Sequence, residues 1–183
     1  MRARNYTTEA IVLGRRDFSE ADKIIVVFSK SIGKLFLIAK GVKKLTSRKR
    51  GHLEVFSHIR FSAAKGKNLD IITEVETIEN YSDIRQDLRK VAVAYFFVET
   101  VARLTQEEEP HPKVFQLLIS YLDLLKEAKN LKKLRDEFTL DILVNLGFWS
   151  RSKPLLNPDL FLESVTERQI NSVRIGKKLL SKV

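Results

Sequence analysis

The sequence of 183 residues contains no cysteine, only three histidines, one methionine and one tryptophan. Without cysteine it has no disulfides, thiol nucleophiles or zinc knuckles, and three histidines are few ligands from which to build a transition-metal site. A Gly-rich phosphate loop and a nucleophile elbow are also missing. We therefore expect no metal and no other cofactor.

Long hydrophobic runs are missing as well. No apolar run approaches the roughly 20 residues that a membrane span needs. The N-terminal MRARN leads directly into an alternating pattern, without the hydrophobic core of a signal peptide. From these two features we expect no membrane partner and a cytoplasmic location.

Clusters of acidic residues give little support to an enzyme. The acidic triplet at 107–109 precedes Pro110 and is typical of a solvated helix end. The first loop carries three more acids among basic neighbours, Asp17, Glu20 and Asp22. These carboxylates could bind a metal, but the sequence favours local ion pairing that shapes the loop. We predict that the protein is not an enzyme.

Positive charge is concentrated in the first part of the chain. Residues 1–70 contain 16 Lys and Arg against 6 Asp and Glu, whereas residues 71–183 contain 17 of each. Residues 40–50, named here the basic loop, contain six cations and no acid: Lys40, Lys43, Lys44, Arg48, Lys49 and Arg50. Charge segregated in this way favours a polyanionic partner, and nucleic acid is the leading candidate.

The first half predicts short strands joined by glycine turns. Apolar or alternating segments at 7–13, 24–28, 35–39, 53–63 and 69–75 predict five strands in about 80 residues. Five short antiparallel strands bury their apolar faces most economically in a small closed barrel. We therefore predict an α+β chain with an N-terminal five-stranded barrel over 1–80 and an α-helical domain over 81–183.

In the second half the hydrophobic period becomes helical. Ser82 or Asp83 is expected to cap a helix whose face includes Ile84, Leu88 and Tyr95, and 107–112 ends it. A second helix follows from Val114, and a third is predicted over about 131–146 with Gly147 at its end. Residues 150–158 are expected to be irregular, and a capping-box pattern at 166–169 predicts a last helix.

The predicted DNA-binding residues centre on the basic loop. Arg15 and Arg16 are expected beside it, because loops of a barrel converge at a shared groove. On the strands, Lys34 and Arg60 are further cations, and Phe36 and Phe56 are candidates for stacking on bases. The predicted set, with Phe36 as a second stacking candidate, is Arg15, Arg16, Lys34, Lys40, Lys43, Lys44, Arg48, Lys49, Arg50, Phe56 and Arg60.

A series of short motifs resembles one family. The motifs are TEAIVL at 8–13, DFSEAD at 17–22, Gly33, AKGV at 39–42, Arg48, LEVF at 53–56, the Gly66 turn, Leu69, Glu74 and LGF at 146–148. In this order they resemble the DNA repair protein RecO family over roughly residues 5–150. The chain looks like a short member without the four-cysteine zinc knuckle that many members carry after the LGF segment.

The resemblance implies a non-enzymatic protein with an N-terminal OB-fold barrel followed by a helical domain. Members of the family bind single- and double-stranded DNA and anneal complementary strands. With RecR they help RecA to replace single-stranded DNA-binding protein (SSB), and they also bind its acidic tail. The resemblance therefore implies DNA, RecR and SSB as partners, and RecA indirectly.

A second basic cluster lies in the helical half. An acidic tail with an apolar end needs a greasy pocket with cations at its rim. Leu131 and Leu134 are expected to supply the pocket. The predicted rim is Lys129, Lys132, Lys133 and Arg135, although an ordinary solvated helix face explains the same pattern.

Two alternatives to a recombination mediator stay open. OB barrels also occur in RNA-binding modules of translation and ribosome assembly, because one fold serves several functions. A nuclease is the third possibility, although the sequence has no visible acid cluster for its metal. Strand annealing separates the first two, and metal-dependent cleavage would support the third.

Overall fold

A computed structural model describes residues 5–166 of the chain. Within it two compact units are distinguished. The first consists of residues 5–80 together with 105–112, and the second of residues 81–104 and 113–166. The short segment at 105–112 therefore belongs to the barrel unit, although it follows a helix of the other unit in the sequence.

Five strands form a closed barrel in the order β1-β2-β3-β5-β4. The strands are β1 (Asn5–Asp17), β2 (Lys23–Ser29), β3 (Gly33–Ala39), β4 (His58–Ala64) and β5 (Asp70–Glu79). Neighbours are antiparallel except β3 and β5, which run parallel. This arrangement confirms the predicted fold class, an OB-fold-like barrel followed by helices.

Strand β1 closes the barrel because it pairs on both sides. Its first half pairs with β4, as at Tyr6 opposite Ala63, and its second half pairs with β2, as at Arg16 opposite Ile24. The register of the β1–β2 pair shifts between Val12 and Gly14. A bulge of this kind bends a strand and increases its twist, which lets one strand serve two partners.

The barrel encloses a core to which all five strands contribute. Thirteen buried residues form this core: Ala10, Val12, Ile25, Val27, Leu35, Leu37, Ala39, Val42, Leu53, Ile59, Phe61, Ala63 and Ile72. Strand β3 shows the clearest alternation, since Leu35, Leu37 and Ala39 are buried and the residues between them are partly exposed. Period-two burial is the property expected of a strand with one face on a core.

The predicted strand at 53–63 was too long. Strand β4 begins only at His58, and a short 3₁₀ helix at Arg50–His52 and a turn precede it. Phe56 has a φ of 58°, a left-handed conformation that interrupts a strand. Its N–H donates to the carbonyl of Val12 at 2.8 Å, so the segment packs on β1 as a turn.

Residues 105–112 lie along β3 of the barrel unit. The N–H of Glu108 donates to the carbonyl of Lys34 at 3.0 Å, and Lys34 Nζ donates to the carbonyl of Thr105 at 2.5 Å. Gly33 has a φ of 91°, and a Cβ atom there would lie 2.1 Å from the carbonyl oxygen of Glu109. Only glycine permits such a close approach together with that conformation.

The helical unit contains α1 (Ser82–Arg85), α2 (Leu88–Leu104), α3 (Pro112–Glu127), α4 (Leu131–Asn145) and α5 (Pro158–Thr166). Four aromatic rings centre its core: Phe96, Phe97, Tyr121 and Phe138. The rings of Phe97 and Phe138 have their centroids 4.2 Å apart. The predicted positions of α3 and α4 are confirmed, including Gly147, which has a φ of 79° after the end of α4.

Three helical predictions need correction. The first predicted helix is divided at Asp87, whose carboxylate accepts from the N–H of Arg89 at 2.8 Å and so caps α2. Leu88 and Tyr95, expected on its buried face, are exposed. Residues 150–157 are irregular as expected, but helix α5 begins at Pro158, where no helix was predicted, and Thr166, the expected start of the last helix, is its final residue. The remainder of the predicted last helix lies outside the described residues.

Candidate nucleic-acid interface

The basic loop leaves β3 and is attached to the turn between β1 and β2. The N–H of Gly41 donates to the carboxylate of Asp22 at 2.8 Å. The N–H of Lys43 donates to the carbonyl of Ala21 at 3.0 Å, and its ammonium donates to the carbonyl of Ser19 at 2.8 Å. These bonds fix the first part of the basic loop at one end of the barrel.

Two carboxylates of the first loop maintain this attachment. Asp17 forms ion pairs with Lys23 at 2.8 Å and with Lys43 at 3.2 Å, and these lysines lower its pKa below the ordinary range. The hydrogen bond from the N–H of Gly41 lowers the pKa of Asp22. The structure thus confirms local ion pairing for Asp17, and it shows Asp22 as an acceptor for the backbone of the basic loop.

An open cleft of about 410 Å³ lies beside the loop. Ile25, Val42 and Leu53 form its apolar lining. The charged residues around it are four cations and two acids: Arg15, Lys23, Lys43, Arg50, Asp17 and Glu54. Arg15 is paired with Glu54 at 2.6 Å. The cations exceed the acids, so the cleft favours an anionic ligand.

Four cations of the basic loop extend into solvent. Lys40, Lys44, Arg48 and Arg50 are exposed, and none forms an ion pair with a carboxylate among residues 5–166. Lys49 differs, because its ammonium donates to the carbonyl of Ile72 at 2.7 Å and attaches the loop to β5. Exposed cations that form no ion pair with a carboxylate are suited to neutralising phosphates.

Three predicted DNA-binding cations, Arg16, Lys34 and Arg60, lie outside both the basic loop and the cleft. Arg16 projects over the ring of Phe36, with its guanidinium carbon 5.9 Å from the ring centroid. Lys34 contacts the segment at 105–112, where burial lowers its pKa.

Arg60, on β4, pairs with Glu76 at 2.9 Å and Glu9 at 3.2 Å. The hydrogen bonds with these two carboxylates raise the pKa of Arg60. Its neighbours in the adjoining 350 Å³ cleft include a third acid, Glu74. The structure therefore surrounds this predicted phosphate contact with negative charge.

The prediction that Phe56 stacks on a base is wrong. Its side chain is fully buried in the barrel unit, so no base can reach the ring. The error follows from treating 53–63 as one strand, because the left-handed conformation at Phe56 reverses the expected orientation. Phe36 is only partly exposed and already has Arg16 above it.

The helical cluster at 129–135 does not form the predicted pocket. Leu131 and Leu134 are buried in the helical unit. Arg135 is buried too, since it is paired with Asp159 and its guanidinium lies 4.3 Å from the ring centroid of Phe96. Lys129, Lys132 and Lys133 remain exposed. The prediction that Arg135 contacts a partner is therefore wrong, because Arg135 forms an internal ion pair.

Two features of this end of the barrel were not predicted. Lys23 joins the cleft because its pairing with Asp17 and Ala39 places it between β1 and β3. Phe18, at the β1–β2 turn, is 54% exposed. The sequence alone could have singled out Phe18, because it is an aromatic residue inside a charged turn.

Among residues 5–166, no helix is both long and apolar enough to cross a bilayer. In the same range, no group of three or more acidic or histidine side chains is arranged to hold a metal ion.

Fold and site together define an OB-type barrel with an exposed basic loop, followed by a helical unit. The family profile described as "Recombination protein O N terminal" matches residues 1–81, and "Recombination protein O C terminal" matches residues 85–151. The chain belongs to the recombination protein O (RecO) family.

Curated relatives agree with this assignment. The DNA repair protein RecO of Roseiflexus sp. (strain RS-1) is 34% identical over 148 residues, covering 81% of this chain and 52% of the relative. That of Pelotomaculum thermopropionicum is 36% identical over 143 residues, covering 78% and 56%. That of Desulforamulus reducens is 35% identical over 171 residues, covering 93% and 63%. The chain thus spans little more than half the length of these relatives.

Proposed function

We propose that this chain is a DNA-binding recombination mediator that acts in DNA repair without catalysing a reaction. Its family membership supports the proposal, and one observation carries it. Lys40, Lys44, Arg48 and Arg50 are exposed and form no ion pair with a carboxylate within residues 5–166, and Arg50 also lines the cleft. Such cations favour binding to nucleic acid, because neutralising its phosphates releases the counterions condensed on it.

The same loop supports the proposal that the chain contacts both single- and double-stranded DNA. Phosphate contacts carry no sequence information, so they form on either kind of strand. Neutralising phosphates also lowers the repulsion between two single strands. The chain is therefore proposed to anneal complementary strands, and its rate of annealing should depend on these cations.

The proposed partners follow from the family. RecR is proposed to act with this chain in assisting RecA, and single-stranded DNA-binding protein is proposed to bind the helical unit. The exposed Lys129, Lys132 and Lys133 support an acidic partner there. Leu131 and Leu134 are excluded from that contact by burial, so the proposed attraction is electrostatic.

The test compares two triple variants of the full chain that each lose three charges. The loop variant carries Lys44→Gln, Arg48→Gln and Arg50→Gln, and the helix variant carries Lys129→Gln, Lys132→Gln and Lys133→Gln. Fluorescence anisotropy of a labelled oligonucleotide over a salt series gives the slope of log affinity against log salt. Each lost phosphate contact on single strands lowers this slope by about 0.7, so the loop variant should lose about 2 units.

The helix variant should keep both its slope and its annealing rate, measured with complementary labelled strands. It should instead lose affinity for an acidic peptide that ends in phenylalanine. Equal losses of slope in the two variants would mean that net charge, and not the basic loop, determines binding. A preference for RNA in competition, without annealing, would favour the RNA-binding alternative.

A further inference from the structure

Phe18 lies on the turn between β1 and β2, at the end of the barrel that carries the basic loop. More than half of its side chain is exposed. A single exposed apolar residue is ordinary on a protein surface. The setting of Phe18 is less ordinary, because the turn that carries it is bonded to the basic loop.

The turn is closed by its own hydrogen bonds. The N–H of Phe18 donates to the carbonyl of Asp22 at 3.2 Å, and the N–H of Asp22 donates to the hydroxyl of Ser19 at 3.2 Å. Lys43 and Gly41 then attach the basic loop to the same turn. The backbone at Phe18 is thus fixed beside Lys43, so only the two torsions of its side chain remain to be ordered when a ligand binds.

No other aromatic ring of the described barrel is similarly accessible. Phe28, Phe56 and Phe61 are buried. Phe36 is partly covered by Arg16, and Tyr6 packs edge-on against Phe61 with its hydroxyl donating to Asp70. Among residues 5–80, Phe18 alone combines an aromatic ring with exposure above one third.

We propose that Phe18 is the stacking residue for single-stranded DNA in this barrel. One base of the strand lies on the ring, and the phosphates beside that base contact the cations of the basic loop. Single-strand binding sites combine a positive groove with aromatic rings in this way, and the first loop of OB barrels is a known place for oligonucleotides. The inference rests on the proposed function and adds a preference for unpaired bases.

The preference follows from the chemistry of stacking. A base in a duplex is already stacked on its neighbours, so its faces are not available to Phe18. Phosphates are available in both forms of DNA. Removing the ring should therefore weaken binding to single strands and leave duplex binding, which depends on charge, nearly unchanged.

The experiment uses full-length Phe18→Ala with Leu88→Ala as the control. Leu88 is 73% exposed at the start of α2 and has no ring, so its loss removes exposed apolar surface from a residue outside the proposed DNA contacts. Phe18→Ala should weaken binding to a labelled single strand by roughly 5- to 150-fold, the range for one lost stacked base. Duplex affinity and the salt slope should stay the same, and Leu88→Ala should change neither affinity.

Phe18→Trp provides a second measurement that does not depend on lost affinity. A stacked base should quench the fluorescence of the new indole, and an equal concentration of duplex should not. The unmodified chain, whose only tryptophan is Trp149, supplies the background signal.

Unchanged single-strand affinity in Phe18→Ala would overturn the inference, and so would equal losses on single strands and duplex. In both cases the proposed function would stand if the unmodified chain binds DNA. Failure of the unmodified chain to bind either form of DNA would instead overturn the proposed function, and this inference with it.

Discussion

Two segments with a similar proportion of cations differ in what surrounds those cations. The basic loop at 40–50 and the helical segment at 129–135 are both rich in lysine and arginine. In the loop, four of six cations are exposed without a carboxylate partner among residues 5–166. In the helical segment, Arg135 is buried against Asp159, and Lys133 lies 3.8 Å from Glu137 one turn along α4.

The difference shows that the residues around a cation, more than the number of cations in a segment, determine whether its charge is available to a ligand. A helix places i and i+4 side chains together, so an acid one turn away offsets a lysine. The basic loop contains no acid, and its nearest carboxylates come from the β1–β2 turn. Those carboxylates engage Lys43 and leave Lys44 exposed.

The largest expected effect is on the free energy of unfolding and concerns Arg135, the cation least accessible to a ligand. Arg135→Met removes the guanidinium from Asp159 but keeps an unbranched apolar stem near Phe96. The loss of a buried ion-pair partner should reduce the free energy of unfolding by about 3 kcal/mol, the lower end for such pairs because Asp159 is partly exposed. Urea unfolding of the full chain measures this change.

Lys132→Met is the control on the same helix. Lys132 is exposed, so its substitution should change the free energy of unfolding by no more than about 0.5 kcal/mol. If the two variants were equally stable, Arg135 would be a surface cation like its neighbours, and the contrast between the segments would be lost.

A smaller effect distinguishes two adjacent cations of the basic loop. Lys44→Gln should lower the salt slope for single-stranded DNA by about 0.7, because Lys44 is exposed without a carboxylate partner in the described chain. Lys43→Gln should lower it less, because Asp17 already offsets part of the Lys43 charge. Anisotropy titrations over a potassium chloride series give both slopes, and equal decreases would contradict the role assigned to Asp17.

The smallest effect concerns the carboxylate of Asp17. Its pKa is lowered in the folded protein by Lys23 and then Lys43. A carboxyl with a lowered folded pKa stabilises the fold above its unfolded pKa, about 3.9, and this contribution is lost as pH falls through the folded value. The relevant window therefore lies below about pH 4.

Lys43→Gln should raise the pKa of Asp17 but leave it below the ordinary range, because the stronger bond from Lys23 remains. A carbon-detected NMR titration of the Asp17 carboxyl measures the change. Lys44→Gln is the control, since Lys44 acts on Asp22 and not on Asp17. No shift in Lys43→Gln would show that Lys43 is not bound to Asp17 in solution.

Most of the fold was predictable because the spacing of hydrophobic residues along a strand or helix follows from which of its faces is buried. Strand β3 and helix α3 show the residues expected at period 2 and period 3.6. The errors came where tertiary packing chooses between local options. Phe56 adopts a left-handed conformation that no alternation reveals, and Leu88 and Tyr95 lie on the side of α2 that the other helices leave exposed.

The sequence predicted which segment carries the cations of the candidate site, but it did not predict which of those cations are exposed. The basic loop was evident from the run of cations at 40–50. Which of those cations are engaged depends on Asp17 and on the carbonyl of Ile72, and barrel closure brings both from distant positions in the sequence. The accessible ring of Phe18 similarly became apparent only when the other barrel aromatics proved to be covered.

The segment at 105–112 has a consequence for the order of synthesis. At about 5–20 residues per second, a ribosome needs roughly 1 to 5 s to add residues 80–104, which separate β5 from this segment. During that interval the five strands exist without the chain that contacts Gly33 and Lys34. The barrel unit is therefore completed only after α2 has been made, and a fragment that stops at residue 80 lacks part of its own domain.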